Sequence, residues 1–73
     1  MPALFIHLRT FKGRDMAILV DSITSMHVDA EGDTRVDFGE DDFLYTSEPL
    51  PDLVRRLNAL ASGDLSAATL PDA

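Results

Sequence analysis

The residues best placed to do chemistry are the acids of Asp29 to Glu40, DAEGDTRVDFGE. Carboxylates fall at loop positions 1, 3, 5, 9 and 12, the spacing of a calcium-binding EF-hand loop, with Val36 at the aliphatic position 8. The pattern fails where the loop must turn. Position 6, which needs glycine, is Thr34, and the glycine stands at position 4 instead. No helix signal precedes the segment, and Thr34 to Phe38 alternates as a strand does. The acids therefore read as two hairpin turns joined by a strand.

Other chemistry fares no better. His7 and His27 are the only histidines, each in the middle of an alternating stretch without a second ligand at metal spacing. Ser22, Ser25, the histidines and the aspartates contain the residue types of a Ser-His-Asp site, but no nucleophile elbow positions them. Gly13, Gly32, Gly39 and Gly63 are isolated and form no phosphate cradle. The reading is a non-enzymatic protein, with no cofactor and no metal.

Charge narrows the partners. The formal net charge is −7. Between Asp29 and Glu48 lie eight acids and one base, Arg35, while the rest of the chain balances five acids with five bases. A nucleic-acid surface needs Lys and Arg opposite phosphate, so nucleic acid is disfavoured. The acidic edge suits a protein partner with a basic or apolar surface. Arg9, Lys12 and Arg14 cluster near the first turn, and Arg55 and Arg56 are assigned to the solvent side of a helix. No segment approaches the roughly 20 consecutive apolar residues of a membrane-spanning helix, and the apolar run Ala3 to Ile6 is too short for a signal-peptide core. A soluble, cytoplasmic protein is the expectation.

The elements that must position any site follow from periodicity. Ala3–Thr10, Asp15–Val20, Ile23–Val28, Thr34–Phe38 and Phe43–Thr46 read as strands, separated by turn signals at residues 11–14, 21–22, 30–33 and 39–42. Pro49–Ala61 is the one helix signal. Leu50, Leu53, Val54, Leu57, Leu60 and Ala61 fall within an arc of roughly 120° and form the expected core-facing stripe. Ser47 is the expected N-cap and Gly63 the residue that ends the helix. A helix this short cannot stand alone and needs a sheet beneath it.

The fold class is therefore α+β: an antiparallel β-meander of four to five strands packed on one face by a single C-terminal helix. Residues 1–62 form one small domain, and residues 63–73 a flexible tail, with docking through Leu65 and Leu70 as the alternative. Leu4, Ile6, Leu8, Ile23 or Met26, Val36 and Phe38 supply the covered face. The other face keeps Phe5, Leu19 and either Leu44 or the Phe43/Tyr45 pair. An apolar second face on an unstapled domain of 73 residues calls for a cover, most simply a second copy. Phe5, Leu19 and Tyr45, with Asp41 and Asp42 at the acidic edge, are the candidate partner-binding residues of an adaptor or self-associating (homodimeric) module.

Leu8 through Gly13, Val20-Asp21-Ser22-Ile23, Asp33-Thr34-Arg35-Val36 and the helix start after Ser47-Glu48 give the chain a layout that resembles the small flagellar and swarming-motility family typified by FlbD and SwrD. Ile23 to Leu60 is also similar to the hairpin-plus-helix core of LytTR-type domains. The first resemblance implies a small regulatory or adaptor protein, of transcription or motility, without catalysis.

Overall fold

The computed structural model describes residues 4–69. It is an α+β fold with five antiparallel strands followed by a helix. β1 (Phe5–Arg9) and β2 (Asp15–Leu19) form a hairpin, closed by a turn in which Gly13 takes φ +78°. That left-handed conformation is open to glycine at little cost. β3 (Ser25–Val28), β4 (Thr34–Asp37) and β5 (Phe43–Thr46) form a second, three-stranded sheet in meander order.

The strands thus fall into two sheets, where the alternation suggested one continuous meander. The division lies at Val20–Ser22, a single turn of 3-10 helix. There the Ser22 hydroxyl donates to the Leu19 carbonyl at 2.6 Å, and the Ile23 N–H donates to the Val20 carbonyl. Those bonds close a corner, so β2 and β3 never pair. The sheets meet again at an isolated bridge between Thr10 and Thr46. The buried Thr46 hydroxyl donates to the Arg9 carbonyl at 2.8 Å and accepts from the Glu48 N–H.

Alternation places Ile6, Leu8 and Ile18 of the hairpin and Val36 of β4 in one core with Leu53 and Leu60 of the helix. Ile23, Met26, Phe38, Leu44 and Leu57 pack around them, half-buried. Leu4, expected inside, is exposed at the margin. Both sheets turn one face inward, and the helix α1 (Leu50–Ala61) contributes to the same core.

The helix differs from its expected form at the start and around its circumference. Pro49, rather than Ser47, is the N-cap residue, and no side chain caps the end. Ser47 is exposed; the Glu48 carboxylate is taken by Arg56. Pro51 has no N–H to satisfy, so the uncapped end has one orphan donor fewer. Among the expected core residues, Leu53 and Leu60 are buried and Leu50 and Leu57 half-buried, but Val54 is 38% exposed. At 100° per residue, the buried arc is rotated by about 50° away from Val54 and Ala61 and toward Arg56.

The cause is the segment after the helix. Gly63 donates to Leu60 O and Asp64 to Ala59 O, both at 3.0 Å, a Schellman ending with Gly63 at φ +100°. Asp64 then accepts from the Ser66 N–H and hydroxyl and caps a 3-10 turn, Leu65–Ala68. That turn folds back over the helix flank, where the sequence suggested a flexible tail. Ala67 and Ala68 touch the core, whereas Leu65 is 66% exposed; Leu70 lies outside the described residues. Small residues and backbone carbonyls make this docking, and hydropathy does not register it.

Candidate functional site

β5 alternates across the sheet. Leu44 and Thr46 turn toward the interior, so Phe43 and Tyr45 stand on the face that the helix does not cover. The two rings meet edge to face with centroids 5.7 Å apart. Phe11 joins them from the first turn: its N–H donates to the Tyr45 carbonyl at 3.1 Å, and its ring lies 6.5 Å from that of Tyr45. Phe11 is 60% exposed and Phe43 47%. The three rings form an aromatic strip along the outer edge of the second sheet.

The rest of this face is polar. Arg35 stacks over the Phe43 ring with its guanidinium carbon 3.9 Å from the centroid, and its Nε donates to Asp37 Oδ1 at 2.9 Å. Asp37 also accepts from the Ser25 hydroxyl at 3.1 Å, and His27 Nδ1 lies 3.6 Å from its other oxygen. Burial works to raise the Asp37 carboxyl. Hydrogen bonds from Arg35 and Ser25, then the nearby Arg35 charge and His27, outweigh it and hold the carboxyl below the usual carboxylate range. The hydrogen bond to Asp37 in turn raises Arg35.

A lowered carboxylate pKa means that folded Asp37 binds its proton less tightly than the unfolded chain does. Its contribution to stability is complete above the ordinary value of about 3.9, and drains away as pH falls through the lower folded value. Asp37→Asn is expected to flatten the acid limb of stability against pH below about pH 4, read by urea unfolding. An unchanged limb would remove Asp37 from the account.

Of the residues expected at a partner surface, Phe5 and Leu19 face each other across the hairpin register, with Phe5 49% exposed and Leu19 half-buried. Tyr45 belongs to the other sheet. Asp41 and Asp42 are exposed in the turn before Phe43. Leu19 and Asp42 nevertheless line one shallow groove of about 410 Å³ between β2 and β5, with Met16, Ile18, Phe38 and Leu44. The second surface is therefore two patches and a groove, not a continuous apolar face.

Phe11 and Arg56 were not legible as important. Phe11 reads as a turn residue, although a phenylalanine in a polar turn is itself a signal. Arg56, assigned to solvent, has a side chain only 13% exposed. Its guanidinium donates to Glu48 Oε1 at 2.6 Å and to the carbonyls of His7, Ala67, Ala68 and Thr69 at 2.9 to 3.3 Å. Arg9, Arg55 and Arg56 do line a common recess, yet Asp15, Asp52 and Glu48 respectively pair with them. The group is close to neutral.

Asp29, Glu31 and Asp33 bring their carboxylates within 4.8 Å of one another. The hairpin turn accounts for this crowding: Asp29 Oδ1 accepts from the N–H groups of Glu31 and Asp33, both at 2.9 Å. His7 and His27 lie on separate sheets. No helix among the described residues is long and apolar enough to cross a membrane. No family model, curated protein or solved structure matches the chain.

Proposed function

We propose that this protein is a non-enzymatic, cytoplasmic interaction module that self-associates and presents an acidic, aromatic surface to a protein partner. The observation that carries this reading is the outward placement of large apolar side chains on both sheets and on the first turn: Phe5 on the hairpin, Phe43 on the three-stranded sheet, and Phe11 in the hairpin turn that reaches Tyr45. Apolar groups held at such density on a small domain favour contact with another protein surface. The cross-strand Phe5–Leu19 pair is the natural centre of a two-fold contact, in which the same patch on each copy meets itself.

Light scattering over a concentration series tests the proposal. The wild-type chain should move from monomer to dimer, and Phe5→Ser should remain monomeric with an unchanged circular dichroism spectrum. A wild-type monomer at every concentration removes self-association from the reading. A small regulator of transcription or motility is the alternative, and it rests on the resemblance to the motility family. The carboxylate pairing of Arg9, Arg55 and Arg56 speaks for an adaptor over direct contact with nucleic acid.

A further inference from the structure

Phe11 and Tyr45 form one wall of a recess of about 390 Å³ whose other wall is Asp29, Ala30, Glu31 and Asp33. Two facts give this surface a sign. No residue that lines it is basic, and among the described residues none of the three acids pairs with a Lys or Arg. Lys12 and Arg14 line the neighbouring recess on the other side of the Phe11 and Tyr45 rings, so the negative sign belongs to the Asp29–Asp33 side alone. Arg35, on the sheet face, is held by Asp37 and stacked on Phe43. Aromatic faces attract cations through their quadrupole, and carboxylates attract them through charge. The Phe43 ring already receives a guanidinium from this chain at 3.9 Å; the Phe11 and Tyr45 rings stand beside carboxylates that no Lys or Arg of the described residues pairs.

We infer that the aromatic strip is a docking surface for a basic, arginine-bearing segment of a partner polypeptide, with one guanidinium seated between Phe11 and Tyr45 and the Asp29–Asp33 turn. The sheet face is the site, and the turn supplies the charge complementarity. This rests on the interaction-module reading and specifies the partner's chemistry. Arginine suits the recess better than lysine. Its flat guanidinium stacks on rings while its five donors reach several carboxylate oxygens.

The test is a titration of the isotope-labelled chain with an acetylated, amidated peptide of alternating arginine and glycine, followed by amide chemical shifts at low salt. Its glutamate counterpart serves as the control. Shifts should centre on Phe11, residues 29–33 and Tyr45. Phe11→Ala, at an exposed position, should weaken binding about three- to tenfold by removing the cation–π contact. Glu31→Gln should weaken it less and reduce its salt dependence. Equal shifts around the remote acids Asp52 and Asp64, or unchanged affinity in Phe11→Ala, would mean unspecific attraction to an acidic protein and overturn the site. Light scattering on the same samples separates the two proposals. A monomer that binds the peptide at the strip overturns self-association alone, and a dimer that ignores it overturns the strip alone.

Discussion

Arg56→Met should lower the unfolding free energy by about 3 kcal/mol, which for a domain of this size is a fall in Tm of roughly 12–24 °C. The size comes from what the substitution strands. Glu48, with a side chain 13% exposed, loses the cation at 2.6 Å. The carbonyls of His7, Ala67, Ala68 and Thr69 lose their shared donor. A buried charge without its partner costs far more than the pair contributed when intact. Changing Glu48→Gln as well should therefore recover part of the loss, since the stranded charge is then gone. Urea melts give the free energies. Amide exchange should show residues 65–69 opening well before the strands. A loss below about 1 kcal/mol, the scale of an exposed pair, would return Arg56 to the solvated surface.

Leu53→Ala should cost about 2–5 kcal/mol, whereas Val54→Ala should cost about 0.5 kcal/mol. Both residues belong to the stripe expected from periodicity. Only Leu53 is buried, at 0% exposure against 38% for Val54. A small domain holds roughly 5–15 kcal/mol in all, so the first change consumes a large share and the second almost none. Equal costs for the two would place the helix in the orientation that the sequence suggested.

The contrast between those neighbours shows what could be read in advance. Period-two alternation marked β1 and β4, because Ile6, Leu8 and Val36 must point inward wherever the sheets lie, and turn signals bounded the other strands. Gly63 marked the helix end, because few other residues take φ +100° without strain. The rotation of the helix was hidden, because it is set by residues 64–69, whose hold is a set of backbone carbonyls. Arg56 reads as solvated for the same reason: a charged side chain looks exposed until its acceptors arrive from elsewhere in the chain. The corner at Val20–Ser22 was visible as a polar interruption, but not as the place where one sheet becomes two.

At the candidate site, the types of residue were legible and their grouping was not. Tyr45, Asp41 and Asp42 were picked out by polarity and alternation. Phe11 reaches Tyr45 only because the bridge between Thr10 and Thr46 joins residues that are far apart in the chain. Phe5 and Leu19, paired across one hairpin, were the easier inference.

The Arg56 clamp also bears on the order in which the molecule assembles. Its bond to His7 spans 49 residues, whereas each hairpin closes over only a few. Local turns form first, and a contact that encloses so much chain waits until both walls are in place. Interactions absent at the barrier slow unfolding without speeding folding. The guanidinium therefore governs chiefly how long the native state lasts once formed, and little of how quickly it is reached.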